Sequence, residues 1–238
     1  MRLDKFLAHT TGYSRTDVKK ILKQKKVSVD GIIVTSPNQH IDELKNFITF
    51  NGEDLFYQKF VYLMMNKPSG YLSATKDGEN KTVIDLIDPY YKRFELSIAG
   101  RLDKDTEGLL ILTNDGQFLH EIISPKKEIY KTYIAQITGE LSAEAIVQLE
   151  NGVQILDGNN NYFTTAPARL KKLNNTEIEL QICEGKFHQV KRMFASVGCK
   201  VIGLKRVAIG QLLLDNFLEL GEYRELEESE CYEIKKST

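Results

Sequence analysis

The sequence predicts an α+β protein of two domains, a small α/β module over residues 1–58 and a larger domain over 60–238 with a mainly antiparallel sheet flanked by helices. Three observations predict it. Basic residues crowd one end: Arg2, Lys5, Arg15, Lys19, Lys20, Lys23, Lys25 and Lys26 face only Asp4 and Asp17 within residues 1–26, in a chain of net charge −1. The same end carries the strongest short hairpin signal, Asp30-Gly31 inside VSVDGIIV. Further on, TEIELQI at 176–182 alternates polar and apolar residues, as an antiparallel strand with one wet face does.

The elements follow in order. Leu3, Phe6 and Leu7 lie at helical spacing, and Thr10-Thr-Gly12 breaks that helix. Ser14 and Asp17 form a capping pattern for a second helix, which buries Val18, Ile21 and Leu22 and turns Lys19, Lys20, Lys23 and Lys26 to solvent or a partner. The hairpin comes next. Residues 60–65 read as a buried strand, 66–70 (NKPSG) as a turn, 73–81 as a polar loop and 82–87 as a short helix closed by Pro89. A strand over 96–99 leads into GRLDKDTEGLLILTNDG, where 107–113 is a strand, 114–116 a turn and 116–123 a short helix. Residues 130–138 alternate with Tyr133, Ala135 and Ile137 on one face. Ser142 caps a helix that Gly152 stops. In GKFHQVKRMFASVG, Val190, Met193, Phe194 and Val197 share one helical face, with His188, Lys191 and Arg192 opposite and Gly198 at the end. The tail, 221–238, is mixed in charge, and its end is expected to fray.

Several function classes are disfavoured. No apolar run approaches the roughly 20 residues of a membrane span, and the N-terminal stretch lacks a secretory apolar core. A cytoplasmic protein is expected. Cys183, Cys199 and Cys231 make no CxxC pair, and the four histidines show no zinc spacing, so neither metal nor cofactor is expected. Asp103, Asp105, Glu107 and Gly108 follow a calcium-loop pattern, but Asn114 stands where the closing bidentate glutamate belongs. The basic end on an otherwise acidic chain points to an anionic partner, most simply nucleic acid.

Two resemblances sharpen this. RLDKFL, SRTDVKKILKQKKV and VSVDGIIV resemble the S4 RNA-binding domain, in that family's order. GRLDKDTEGLL resembles the catalytic aspartate motif of the pseudouridine synthases, with NKPSG before it, KTY after it and GKFHQVKRMFASVG later, also in order. The FHQVKRMF wording looks most like the RsuA-type branch, which acts on small-subunit (16S) ribosomal RNA. Large-subunit (23S) enzymes of the same branch, a non-catalytic S4-type RNA-binding protein and a two-carboxylate hydrolase are the alternatives.

The resemblance implies an S4-like RNA-binding domain over 1–58 and a pseudouridine synthase catalytic domain over 60–238. It assigns Asp103 as the working carboxylate, attacking C1′ of a uridine or acting as a base at C2′. Lys191 pairs with that carboxylate, in a place where relatives more often have arginine. Tyr133 stacks on the flipped base and moves the C5 proton, while Tyr130 is ordinary packing. Arg101 fills the gap left by the flipped nucleotide, and Leu204 walls the pocket. Arg2, Lys5, Arg15, Lys19, Lys20, Lys23, His188 and Arg192 are candidate RNA contacts. Asp105, Glu107 and Asp115 become turn and surface groups. The expected partner is ribosomal RNA, from the small subunit or its assembly intermediate with ribosomal proteins, bound by a monomer without metal or cofactor.

Overall fold

The computed structural model describes residues 1–159 and 161–236. The chain forms two compact units: Met1–Phe60 with Pro89–Arg93, and Val61–Asp88 with Phe94–Thr238.

In the first unit, helix α1 (Leu3–Thr11) ends at Gly12, whose φ of 74° is left-handed. Helix α2 (Arg15–Lys23) starts at Ser14, whose hydroxyl accepts the Asp17 N–H at 3.2 Å and donates to its carboxylate at 2.6 Å. Strands β1 (Val27–Val29) and β2 (Ile32–Ile33) flank Asp30 and Gly31, with φ of 51° and 79°. Two consecutive positive φ angles are what a tight hairpin turn demands. A second such hairpin was not foreseen from sequence. Strands β3 (Ile48–Phe50) and β4 (Glu53–Leu55) turn at Asn51 and Gly52, with φ of 53° and 85°. The antiparallel sheet runs β2-β1-β3-β4. Leu3, Phe6, Leu7, Val18, Leu22, Val27 and Ile48 make its core against the helices.

A short helix, α3 (Pro89–Lys92), also belongs to this unit. Arg93 stacks its guanidinium 3.9 Å from the Tyr90 ring and donates to the Thr10 carbonyl. Pro89 therefore opens a helical turn, a place where its missing N–H is harmless. The preceding helix is a 3₁₀ turn, Val83–Leu86, closed reciprocally by Thr82 and Asp85.

The second unit is built on one large sheet. Its strands are β5 (Tyr62–Lys67), β6 (Ser97–Ala99), β7 (Glu107–Thr113), β8 (Lys131–Thr138), β11 (Arg169–Lys172), β12 (Glu177–Ile182), β13 (Lys200–Ile209), β14 (Leu212–Leu213) and β15 (Tyr223–Glu225), while β9 (Gln154–Leu156) and β10 (Tyr162–Thr164) form a separate hairpin. The order is β11-β12-β8-β13-β7-β5-β15, with β6 on β7 and β14 on β13. Among the described residues only β13–β7 is parallel in this sheet, which is otherwise antiparallel. Helices α4 (Gly116–Ile123), α5 (Ala143–Asn151), α6 (Gln189–Ser196) and α7 (Glu228–Lys235) flank it. Met64, Leu109, Ile111, Phe118, Ile122, Ile209 and Ile234 share one apolar cluster beneath α4 and α7.

The structure corrects two expectations and adds a central strand and an ordered stretch of the tail. Asn66 and Lys67 are strand, not turn. His188, expected on the helical face with Lys191 and Arg192, precedes the helix, which starts at Gln189, because His188 takes a left-handed conformation (φ 51°, ψ 31°). The central strand β13 was not foreseen, since KVIGLKRVAI mixes cations with apolar residues and shows no clean alternation. Within the tail, β15 pairs with β5, and Arg224 joins Asp215 (2.6 Å) to Glu230 (2.7 Å). Ser237 and Thr238, where fraying was expected, lie outside the described residues. Among the described residues no helix is long and apolar enough to cross a membrane.

Candidate active site

Asp103 sits in the turn between β6 and β7, and several backbone bonds fix that turn. The Thr106 N–H donates to the Asp103 carbonyl at 3.1 Å. Ser73 donates to the Leu102 carbonyl (2.8 Å) and accepts the Leu102 N–H (3.1 Å). Gly70 N–H donates to the Lys104 carbonyl at 2.8 Å. Lys67, wholly buried at the end of β5, donates to the carbonyls of Pro68 (3.0 Å), Lys104 (3.2 Å) and Thr106 (2.8 Å). Burial pushes its ammonium down to about 8, against the opposing pull of the Asp105, Glu107 and Asp103 carboxylates. The NKPSG segment is therefore a clamp on the aspartate turn. Lys67→Met leaves those carbonyls facing a thioether. Its expected result is a loss of turnover on the order of 10²-fold, since small misplacements of a reacting group are that costly, with faster amide exchange over residues 103–106 and unchanged RNA affinity.

The reactive face is assembled on β8, β13 and α6. Residue alternation puts Lys131 and Tyr133 on one face of β8, and across the β8–β13 ladder Tyr133 faces Arg206 and Ala135 faces Leu204. Asp103, Arg101, Thr106, Tyr133, His188 and Leu204 line one cleft of about 60 Å³. Lys191, on the first turn of α6, lies 3.2 Å from Asp103 Oδ2 and 2.5 Å from Asp105 Oδ1. His188 Nε2 lies 3.7 Å from Asp103 Oδ1. Lys191 titrates above its ordinary value. Burial works against this, and the hydrogen bond to Asp105 and the charge of Asp103 outweigh it. The same hydrogen bond holds Asp105 below the usual carboxylate range. Thr106 Oγ1 is buried on the cleft wall and has no hydrogen-bond partner among the described residues.

The geometry brings Asp103, Tyr133, Lys191, Arg101, His188 and Leu204 together. Asp105 is no bystander, because it shares Lys191. Asp115 caps α4, accepting the N–H groups of Gln117 (3.0 Å) and Phe118 (3.1 Å) and the Tyr62 hydroxyl (2.8 Å). Arg192 departs from the expected RNA-facing role: its guanidinium donates to the carbonyls of Leu156 and Asp157, tying α6 to β9. His188 flanks the cleft from the left-handed entry to α6 rather than from a helical face, and its ring stacks on exposed Phe187 at 3.8 Å.

In the first unit, Lys5, Arg15, Lys19, Lys20 and Lys23 are exposed, and Lys20 pairs with Asp17 at 3.0 Å. Arg2 is committed to Asp4 (2.7 Å) and Asn38 (2.6 Å). Lys67, Thr106, Lys131 and Arg206 were not foreseen as site residues, although the first three lie inside the NKPSG, aspartate and KTY motifs.

A module of cation-bearing helices, and a separate sheet domain offering one cleft carboxylate beside a phenol and an ammonium, define an RNA-modifying enzyme. Comparison with known proteins makes the class specific. The family model for RNA pseudouridylate synthase matches residues 61–196, and that for the S4 domain matches residues 1–43. The chain belongs to the RNA pseudouridylate synthase family, and its activity is that of an isomerase. It is 48% identical to an uncharacterized RNA pseudouridine synthase, YtzG, of Bacillus subtilis (98% of this chain, 97% of the relative). It is 42% identical to ribosomal small subunit pseudouridine synthase A of Vibrio cholerae (99% and 100%) and 39% identical to that of Escherichia coli (98% and 100%). A crystal structure of a pseudouridylate synthase superposes with a TM-score of 0.68 at 39% identity, over 98% of this chain and 99% of that one.

Proposed function

We propose that the protein converts one uridine of small-subunit (16S) ribosomal RNA to pseudouridine, in the cytoplasm, acting as a monomer on that RNA or on its assembly intermediate with ribosomal proteins. The observation that carries the reading is the single cleft carboxylate, Asp103, fixed on a clamped turn and paired with Lys191 at 3.2 Å. The small-subunit target is supported by the names of the full-length Vibrio and Escherichia relatives.

The target nucleotide leaves its stack to reach the cleft, and Arg101, exposed at its edge, occupies the space left behind. Asp103 attacks C1′, or takes a proton from C2′, as the N1–C1′ bond breaks. The uracil turns against the Tyr133 ring, and C5 bonds to C1′ as the Asp103–C1′ bond breaks or, in the second route, as Asp103 returns the proton to C2′. The C5 proton then leaves, with the Tyr133 hydroxyl positioned to relay it, and N1 gains a proton. Lys191 holds the carboxylate in place, and Leu204 closes the apolar wall.

Incubation with small-subunit RNA carrying tritium at uridine C5 tests this. Release of one tritium per RNA is expected; no release from any ribosomal RNA would contradict it. The exposed lysines of α2 give the first unit an electrostatic grip on phosphate. Lys19→Glu with Lys20→Glu is expected to weaken RNA affinity by about tenfold or more and to flatten its salt dependence by roughly two in log–log slope. Filter binding over a salt series measures both.

A further inference from the structure

We propose that Lys131 and Arg206 form a subsite that holds an RNA backbone phosphate beside the target uridine. The proposal rests on the RNA-modifying reading above and adds a ligand contact to it. A cavity of about 560 Å³ adjoins the Asp103 cleft and shares Arg101, Tyr133, Gly185 and Lys186 with it. Its inner wall carries Lys131 and Arg206, 8% and 2% exposed. Both come from the face that presents Tyr133, and a bulge in β13 just after Arg206 alters the register there.

Neither cation is neutralised. Among the described residues, neither has a carboxylate within salt-bridge distance. Arg206 donates Nε to the Leu109 carbonyl (2.8 Å) and Nη2 to the Gly100 carbonyl (2.9 Å), which leaves Nη1 without a partner among the described residues. Lys131 has one long bond, 3.3 Å, to the Cys183 carbonyl. The carboxylate on the cavity wall, Glu184, accepts the Ala166 N–H (3.1 Å) and the Gln189 amide (2.9 Å) through Oε2 and makes no salt bridge to either cation. Two buried cations in one cavity, neither with a carboxylate in salt-bridge reach among the described residues, work against folding. Burial, and then the charge of Arg206, bring Lys131 down to about 8. An anion between the two removes the conflict. A phosphodiester supplies one negative charge and two free acceptor oxygens, which neither a base nor a ribose supplies. Because the cavity adjoins the cleft, that phosphate belongs to the target nucleotide or its immediate neighbour.

Phosphate-ethylation interference tests this, with wild type, Lys131→Met and Lys131→Arg acting on a small-subunit RNA transcript. In wild type, ethylation of one phosphate next to the converted uridine is expected to block conversion. In Lys131→Met that interference disappears, KM for RNA rises by roughly tenfold, and the salt slope falls by about one. Lys131→Arg keeps the wild-type pattern. The melting temperature of Lys131→Met is not lowered, because a buried charge has been removed. Identical interference and salt slope in wild type and Lys131→Met would overturn the subsite, and so would loss of the fold in Lys131→Met, which would make Lys131 structural. Competition by inorganic phosphate without any interference would place a free anion there and overturn the RNA form. Absence of conversion by wild type would instead sink the functional reading itself.

Discussion

Asp103→Asn is expected to abolish pseudouridine formation, with a loss on the order of 10⁴-fold or more, and to leave RNA binding intact. The amide has the carboxylate's shape but neither its nucleophilicity at C1′ nor its basicity at C2′. The fold is expected to tolerate the exchange. Asp103 is partly open to solvent, and Lys191 keeps its 2.5 Å bond to Asp105 when the charge on Asp103 is lost. The turn itself is held by backbone bonds through Lys67, Ser73 and Thr106, none of which uses the Asp103 carboxylate. Single-turnover tritium release reports the chemistry, and filter binding at matched salt reports the affinity. Turnover by the asparagine variant within tenfold of wild type would remove Asp103 from the role given to it here.

Gly108→Ala is expected to unfold or severely loosen the second unit, with a destabilisation of roughly 3 kcal/mol or more. Gly108 has a φ of 101°, which side chains rarely adopt. A Cβ there would lie 2.2 Å from the Arg206 carbonyl oxygen and 2.8 Å from its nitrogen, both backbone atoms that cannot swing aside. This is the point where β7 meets β13 in parallel, with Arg206 opposite Gly108 and Lys205 opposite Glu107. The missing side chain lets the two strands approach, and that approach brings Arg206 to the Gly100 and Leu109 carbonyls. The glycine of the aspartate motif thus has a packing reason. Gly116, first in α4, is the control: its φ is not positive, and no atom lies within 4 Å of the place a methyl group would take. Gly116→Ala should change stability by no more than about 1 kcal/mol. Denaturant unfolding of both variants checks the contrast.

Much of the architecture was legible in local chemistry. Ser14, Asp30-Gly31 and Ser142 marked their elements because caps and tight turns are decided by a few adjacent residues. The alternation at 177–182 marked a strand with one packed face, buried at every second residue. The aspartate motif, its tyrosine and Lys191 were legible through resemblance; Asp103 and Tyr133 line one cleft, and Lys191 lies 3.2 Å from the carboxylate. What stayed hidden depended on distant pairing. β13 is central, yet its sequence carries cations, because Arg206 is buried against carbonyls that lie about a hundred positions earlier in the chain. Lys67 and Lys131 look like surface lysines in sequence, since lysine is rarely buried. Only the carbonyls around one, and the cavity beside the other, set them apart. Arg192 looked like a cation facing solvent on a helix, but the β9–β10 hairpin that engages it is not adjacent in sequence.

The most direct test of the central claim is carbodiimide mapping of pseudouridine in small- and large-subunit ribosomal RNA, each naked and partly assembled with ribosomal proteins, after incubation with wild type or Asp103→Asn. The account predicts one new mark in small-subunit RNA with wild type and none with the variant. A mark confined to large-subunit RNA would contradict the proposed target, and no mark in either RNA, with tight RNA binding, would contradict the enzymatic function proposed for this chain.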